Sequence, residues 1–406
     1  MMSSTESAWL TLKRMRAYGL ILALCLWSVY VWNISSPGLR DRAGNLKGTD
    51  FLHFYTLGSL ALVRDGADLY NLSAQSKIAA ARVPAAAGIH YLPVYPPQLS
   101  ILFAPLAKLS YAPALVVWLT LSSLIYFCCC YAFWRACPNL RDQRITTLIL
   151  ALAFPAFWHL IAWGQTSALA LACFTAAFFA LRAKREFLAG LAFGCLIFKP
   201  QLALGAALVF VFAFRWRMIV GALLSSSLEL TGAALYYGLG SLRDWIRALS
   251  RVRNQLGLLE PRPYQTHCLR TFWSMLIPWP PISFTFYLLT GLFISLLLVS
   301  CWRLPLSLRF SALLFASVLL APHLTVYDLV ILTPAFLLLS DSIIARHGEM
   351  AAYLPLLLCL AFILPLLGPL ARWTHLQLTV PVMVAIVYVI WNSGRQTPGF
   401  AASPQN

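Results

Sequence analysis

Five short polar motifs interrupt a chain that is otherwise strongly apolar, and they carry its main candidates for chemistry. Carboxylate, ammonium, imidazole and amide groups of this kind can exchange protons, bind anions or hold hydroxyl groups. A single site would need all of these motifs in one place, so the helices around them must end at a common depth. The motifs, in chain order, are Thr49-Asp50-Phe51, Val94-Tyr95-Pro96-Pro97, Gly164-Gln165, Lys199-Pro200 and the segment from His323 to Tyr327-Asp328.

Two of these motifs also have a purely structural interpretation as helix starts. Thr49 could N-cap a helix that runs through Leu62, with Asp50 at the first helical position, where a carboxylate favours the helix dipole. Thr325 and Asp328 have the spacing of a capping box, which would open the next apolar segment. The sequence leaves both interpretations open beside a functional one.

Gln165 and His323 have two interpretations as well. Gln165 could satisfy backbone groups at the helix break after Gly164, or it could contact a substrate. His323 follows Pro322 and could be an ordinary histidine at the membrane interface, or one that binds an anion. Their positions in the fold must decide between these interpretations.

Lys199 is more difficult to explain as a structural residue. It lies between two apolar runs, residues 187–198 and 201–214, that are short for a membrane core of about 30 Å, because a helix rises about 1.5 Å per residue. An ammonium group at that depth is costly unless it pairs, snorkels or faces a wet cavity. We therefore expect a functional partner, and a lipid phosphate is the first candidate. Glu229 is similarly costly, and we expect it to have an internal partner or to be protonated.

The composition predicts an all-α protein that crosses the membrane many times. Apolar residues make up 60% of the 406 residues and charged residues only 11%, whereas soluble domains contain about 25% charged residues. Lipid must therefore be the solvent for most of the chain. The net charge of +17 lies in short clusters between apolar runs, which is typical of membrane topology and not of nucleic-acid binding. The ten cysteines lie mostly in apolar runs without a CxxC pair, so no structural metal site is expected.

The arrangement of basic clusters predicts twelve membrane spans with both termini in the cytoplasm. Lys13, Arg14 and Arg16 precede the first apolar run, and no cleavage site follows it, so we expect an uncleaved first span. The later clusters fall on one side only if residues 187–214 turn back at Lys199 and Pro200. These clusters are Arg135/Arg141/Arg144, Arg182/Lys184/Arg185, Arg215/Arg217, Arg303/Arg309, Arg346 and Arg395. The apolar runs begin near residues 17, 112, 145, 166, 187, 201, 218, 283, 308, 328, 351 and 375.

This topology places all five polar motifs, and six of the seven histidines, on or near the outer side of the membrane. Residues 97–109 are too short for a span, and we expect an interfacial or re-entrant helix on the outer side. We expect a cytoplasmic N-terminal segment 1–16, a single transmembrane domain 17–392 and a cytoplasmic tail 393–406. The transmembrane domain would have two long outer loops, residues 35–96 and 239–282.

The order of these motifs resembles glycosyltransferase family 87, which has the GT-C type membrane fold and includes the phosphatidylinositol-mannoside mannosyltransferases. The resemblance covers about residues 15 to 345 and rests on five motifs in the right order with matching hydropathy. Two departures concern the identity of the sugar or the acceptor. Members often have Asn shortly after the Gly-Gln pair, where this chain has Thr166-Ser167, and an aromatic pair after Asp-Phe, where it has His53-Phe54-Tyr55.

The resemblance implies that residues 17–392 form a GT-C type catalytic domain that transfers a hexose, typically mannose, from a polyprenyl-phosphate sugar with inversion. The acceptor would be a lipid or a glycan at the outer face of a bacterial plasma membrane, and neither a metal nor a cofactor would be needed. Asp50 would be the general base, and Lys199, His323 and an arginine from residues 243–270 would bind the donor phosphate. The further substrate-binding candidates are His53, Tyr95, Gln165, Tyr327 and Asp328.

A transporter or lipid flippase is the competing interpretation, in which the outer Asp, Lys and His residues would bind ions or lipid headgroups. Such proteins often contain inverted repeats and paired broken helices near the middle of the membrane. The sequence has no recognisable repeat of this kind. It therefore favours a transferase whose partners are membrane lipids, a lipid-linked sugar donor and an acceptor, and not nucleic acid.

Overall fold

The computed structural model describes residues 11–252, 259–345 and 353–396, with the backbone alone for Arg395 and Gln396. These residues are largely helical, and the β-bridges found among them are isolated ones, from Arg40 to Leu46 and from Thr266 to Thr325. The all-α fold class is confirmed. Arg346 of the predicted basic clusters, residues 1–10 of the predicted N-terminal segment and residues 397–406 of the predicted tail lie outside the described residues.

Most helices follow one another with short connections, and longer ones lie between Ile34 and Phe51 and between Arg82 and Gln98. The α-helices described are α1 Leu12–Ile34, α2 Phe51–Leu62, α3 Leu72–Arg82, α4 Gln98–Ala107, α5 Tyr111–Ala136, α6 Arg144–Ala153, α7 Pro155–Trp163, α8 Ser167–Arg182, α9 Glu186–Gly194, α10 Pro200–Phe212, α11 Trp216–Tyr237, α12 Leu239–Arg251, α13 Leu269–Leu276, α14 Pro280–Cys301, α15 Leu306–Leu320, α16 Thr333–Ala345, α17 Leu354–Ile363, α18 Gly368–Thr374 and α19 Thr379–Gln396. Short 3₁₀-helices occupy Asp68–Tyr70, Pro84–Ala86, Pro138–Gln143, Cys195–Phe198, Pro263–Gln265, Val326–Leu332 and Leu364–Leu367.

Six helical segments in the described part of the chain are long and apolar enough to span a membrane: Leu12–Ile34, Tyr111–Ala136, Trp216–Tyr237, Pro280–Cys301, Val326–Ala345 and Leu354–Thr374. The segments Pro138–Ala153 and Pro155–Trp163, bent by 48° relative to each other, would add a seventh. A multi-pass membrane protein is confirmed, and in the described part of the chain most of the predicted apolar runs coincide with helices. The number of twelve spans stays a prediction, because the remaining apolar helices contain only 10–17 residues.

The chain breaks between α9 and α10 at Lys199, whose backbone angles of φ −136° and ψ 67° are not helical. Pro200, which has no N–H to donate, is the first residue of α10, a position where proline is well tolerated. Residues 187–214 therefore form two helices, as predicted, and not one continuous helix. Lys199 therefore lies in the break, directly before the first residue of α10.

Helix α2 begins directly after Asp50 and is buried along nearly its whole length, from Phe51 to Ala61. It packs against α4 at Gly58, where an added Cβ would lie 2.5 Å from the Phe103 carbonyl oxygen. Helix α4 is the short helix predicted for residues 97–109, and its interfacial or re-entrant placement stays a prediction. Its Gln98 donates a hydrogen bond to Glu229 of α11 at 3.4 Å, which supplies the expected internal partner of that carboxylate.

The predicted start of α2 is wrong by one position, and the difference matters for Asp50. Asp50 itself is the N-cap, and its side chain makes no capping hydrogen bond. The Thr49 hydroxyl donates to the Leu46 carbonyl at 2.8 Å instead of capping α2. The capping explanation therefore does not account for the Asp50 carboxylate. The predicted capping box of Thr325 and Asp328 is confirmed, although it opens a 3₁₀-helix.

Candidate functional site

A cavity of about 710 Å³ lies where the loops after α1, α7 and α15 meet the segments around Tyr95 and Arg262. Each of the five polar motifs contributes to its wall, through Asp50, Tyr95, Gln165, Pro200 and His323 among others. Such a volume is typical of a site for a small molecule, since most ligand pockets measure about 300–1,000 Å³. Motifs that are far apart in the sequence are thus brought together around one cavity, as the sequence predicts.

Asp50 is fixed on the cavity wall by groups from the end of α7. The side-chain amide of Gln165 donates to Asp50 Oδ2 at 2.6 Å. The backbone N–H of Asp50 donates to the Trp163 carbonyl at 3.0 Å. Gln165 Oε1 accepts from the Thr166 N–H at 3.2 Å, which turns the amide NH₂ group towards the carboxylate. The carboxylate therefore has a defined orientation before any substrate binds.

Gly164 allows this close approach of α7 to α2. Its backbone is left-handed, with φ +70°, and an added Cβ would lie 2.7 Å from the Cβ of Phe51. Its carbonyl accepts a hydrogen bond from the Trp118 indole at 2.9 Å, which fixes the turn. The Gly-Gln pair is thus explained by geometry: glycine makes the turn, and the following glutamine reaches Asp50.

Burial raises the pKa of Asp50 from 3.8 to about 6, although the Gln165 hydrogen bond and the positive charges of Lys199 and Arg262 act in the opposite direction. A carboxylate with this pKa is mostly ionised at neutral pH and is more basic than an ordinary aspartate. It is suited to accept a proton from a hydroxyl group during a reaction.

Lys199 lies behind the cavity wall and does not line it. Its Nζ is 2.7 Å from Asp328 Oδ1, and the two side chains are only 3% and 4% exposed. Ser167 Oγ accepts from Lys199 at 3.0 Å and lies 2.5 Å from the same Asp328 oxygen, to which it donates. Lys199 Nζ also reaches Gln165 Oε1 at 3.5 Å. The structure therefore pairs the ammonium group internally, while its predicted contact with a donor phosphate stays a prediction.

The other predicted residues divide into two groups. His53, Tyr95, Gln165, His323 and Tyr327 line the cavity, and Asp328 lies behind the wall as the partner of Lys199. The ring of Tyr327 separates the two layers, since Lys199 Nζ lies 5.2 Å from its centroid. The pair of Lys199 and Asp328 thus supports the wall from behind, while the first group faces the cavity.

His323 is held by a carboxylate that sequence reasoning did not identify. Glu260 accepts from His323 Nδ1 at 2.8 Å and from the Arg270 guanidinium. Burial alone would raise the pKa of Glu260, but the hydrogen bond from His323 and the charge of Arg270 outweigh it and lower the pKa. Glu260 is therefore ionised and fixes the orientation of the His323 ring, which lines the cavity.

Arg262 is one of the arginines in residues 243–270, a segment from which the sequence predicted a phosphate ligand without naming the residue. It lines the cavity, is exposed, and lies close enough to Asp50 for its charge to lower the pKa of that carboxyl. Among the described residues, no carboxylate forms an ion pair with it. The sequence feature that distinguishes Arg262 from the other arginines of this loop is its position between Pro261 and Pro263, which restrict the backbone on both sides of it.

The comparisons with known proteins give one match. The sequence model of glycosyltransferase family 87 matches residues 94–326, which is more than half of the chain. The matched region includes the motifs around Tyr95, Gln165, Lys199 and His323, while Asp50 precedes it. No curated protein and no solved structure matches the chain significantly.

Proposed function

Because this chain belongs to glycosyltransferase family 87, and is thus a membrane glycosyltransferase, we propose that it transfers a hexose from a polyprenyl-phosphate donor to a lipid or glycan acceptor. Mannose is the hexose that we propose first. One observation carries the proposal: the Asp50 carboxylate, held by Gln165, lines a cavity that also presents Arg262 and His323. A base, an arginine and a histidine that face one cavity suit a transfer from a sugar phosphate.

The proposed reaction is a single displacement with inversion. Asp50 removes the proton of the acceptor hydroxyl as its oxygen bonds to the anomeric carbon. The bond from that carbon to the phosphate oxygen breaks, and polyprenyl phosphate leaves with the electron pair. The Gln165 amide keeps the second Asp50 oxygen in place, which supports a carboxylate already oriented for the transition state.

Negative charge grows on the phosphate as the bond breaks, and cations that face the cavity would stabilise it. We assign this role to Arg262, whose planar guanidinium can bind two phosphate oxygens at once, with His323 as its neighbour on the wall. The pair of Lys199 and Asp328 would act indirectly, because Lys199 supports the amide that orients Asp50. Catalysis would then need no metal and no cofactor.

The outer face of a bacterial plasma membrane is the proposed place of the reaction. What supports this proposal is the charge asymmetry of the short loops, from which the sequence predicts that the five motifs lie on the side opposite the basic clusters. A polyprenyl-phosphate donor suits this side, because its chain can stay in the membrane while its head enters the cavity.

We expect detergent-purified protein to move radiolabelled mannose from polyprenyl-phosphate mannose to a lipid or glycan acceptor, without nucleotide sugar and in the presence of a chelator. The measurement is extraction of labelled product, compared across matched glucose and galactose donors. Movement of intact donor between the leaflets of proteoliposomes, with no labelled product, would favour the flippase interpretation and exclude the transferase.

Arg262→Gln should raise the KM for the donor by about 10–100-fold, because it removes a charge-assisted hydrogen bond worth about 1.5–3 kcal/mol. Arg262→Lys should recover part of this loss, since charge persists without the planar geometry. Arg247→Gln is the control: Arg247 is exposed on α12, pairs with Asp244 at 3.0 Å and does not line the cavity. An unchanged donor KM in Arg262→Gln would remove this arginine from the phosphate site.

A further inference from the structure

His53 has two ring nitrogens that are buried and have no hydrogen-bond partner in the structure. Its side chain lines the cavity, and the residue is only 4% exposed. Buried polar atoms are almost always paired in folded proteins, so an imidazole with two unpaired nitrogens calls for a partner. Because these nitrogens border the cavity, a bound ligand can supply that partner.

The chemistry of His53 selects the kind of ligand. Burial lowers the pKa of His53 from 6.5 to about 3, so the ring is neutral at physiological pH. A neutral imidazole has one N–H donor and one nitrogen acceptor, and it carries no charge for a phosphate. A hydroxyl group, which both donates and accepts, matches this pair of functions.

Two tyrosine rings flank His53. The ring centroids of Tyr91 and Tyr95 lie 5.2 Å and 5.5 Å from that of His53. Tyr91 is fixed by a hydrogen bond from its hydroxyl to the Thr49 carbonyl, and Tyr95 packs edge-on against Phe54 at 5.0 Å. Ligand pockets of this kind combine apolar aromatic walls with a few placed polar groups. A pyranose ring offers the complementary surface, with apolar C–H faces and hydroxyl groups at its edge.

His53 is also close to the proposed reaction centre. It follows Asp50 by three residues at the start of α2, and its backbone N–H donates to the Asp50 carbonyl at 3.2 Å. Side chains three residues apart project from the same face of a helix, about 5–6 Å apart at Cβ. A group bound to His53 therefore lies beside the carboxylate that would accept the proton.

We propose that His53, between Tyr91 and Tyr95, binds one hydroxyl group of a pyranose ring at the reaction centre and so selects the sugar. The inference rests on the proposed function, since it assigns a subsite within the same cavity. The hydroxyl belongs either to the hexose being transferred or to a sugar of the acceptor, and the experiment distinguishes the two.

The test removes the hydroxyl and the histidine separately and together. Donors and acceptors that each lack a single hydroxyl are compared with the parent sugars, using kcat/KM for wild type and for His53→Phe. The kcat/KM of wild type should fall about 10–100-fold with one deoxy analogue, because the missing hydroxyl leaves the buried ring nitrogens of His53 unpaired. His53→Phe should use that analogue and the parent sugar equally well. A deoxy donor with this behaviour assigns the subsite to the hexose transferred, and a deoxy acceptor assigns it to the acceptor sugar.

His90→Phe is the matched control, because His90 also lines the cavity but its Nδ1 is already 2.6 Å from the Ser76 hydroxyl. This variant should keep the wild-type discrimination. His53→Asn, which restores a donor and an acceptor, should recover part of it. If no deoxy analogue separates wild type from His53→Phe while wild type transfers the parent sugar, the inference fails and the proposed function stands. If wild type transfers no sugar at all, both fail.

Discussion

Asp50→Asn is expected to slow sugar transfer by about 10²–10⁴-fold, the usual contribution of a general base. The amide has nearly the size of the carboxylate but cannot accept a proton at neutral pH. Donor binding should remain within a fewfold of wild type, because the phosphate contacts lie on other residues. The measurement is kcat and donor KM on detergent-purified protein, with equal amounts of folded protein assayed.

The pKa of Asp50 predicts two further results, one on stability and one on the pH dependence of transfer. Since burial raises this pKa in the folded protein from 3.8 to about 6, the ionised form is destabilising. Its contribution to stability is fully present below pH 3.8 and is lost as the pH rises through about 6. At pH 7, Asp50→Asn should therefore be at least as stable as wild type. Wild-type transfer should fall as the pH drops through about 6, where Asp50 becomes protonated.

Two companion variants sharpen this test. Asp50→Glu should recover little activity, because the extra methylene moves the carboxylate away from the Gln165 amide and the acceptor. Asp65→Asn serves as the control, since Asp65 accepts from the Asp68 N–H at 3.1 Å in the turn after α2 and does not line the cavity. Transfer by Asp50→Asn within a fewfold of wild type would show that this aspartate is not the base.

Lys199→Met is expected to destabilise the folded protein by about 3–5 kcal/mol, because it leaves the Asp328 carboxylate buried without its cation. The double variant Lys199→Met/Asp328→Leu should regain part of this stability, since it removes both charges but also the hydrogen bonds that Asp328 accepts from Ser167 and from the Thr325 N–H. It should nonetheless transfer sugar slowly, because Gln165 loses the support of Lys199. Unfolding in denaturant and transfer rates measure the two effects separately.

The control for this pair is Arg215→Met, which breaks the ion pair of Arg215 with Glu186 at 2.9 Å. Those side chains are 38% and 31% exposed, so the expected loss is about 1 kcal/mol or less. If Lys199→Met is as stable as wild type but binds the donor more weakly, the lysine contacts the donor phosphate, as the sequence suggests. Loss of stability with unchanged donor affinity would establish a supporting role.

The sequence by itself determined the class of protein and the positions of its helices. The chain has too few charged residues to cover a surface that faces water, so it requires a membrane. Most of the apolar runs coincide with helices in the described residues. The sequence also identified the motifs that the cavity brings together, because polar residues are costly among apolar helices and so are noticeable. A local break such as Lys199-Pro200 was readable from run length and proline alone.

Only the tertiary structure decided which of these polar groups meet. Gln165 reaches Asp50 across 115 positions and Lys199 reaches Asp328 across 129, and no local pattern encodes such pairs. The structure also placed Lys199 and Asp328 behind the wall and showed that the Asp50 side chain makes no capping hydrogen bond. Glu260 and the unpaired nitrogens of His53 were likewise invisible, because burial and the absence of a partner are properties of the folded chain. Residue types fix what a side chain can do, and packing fixes what it faces.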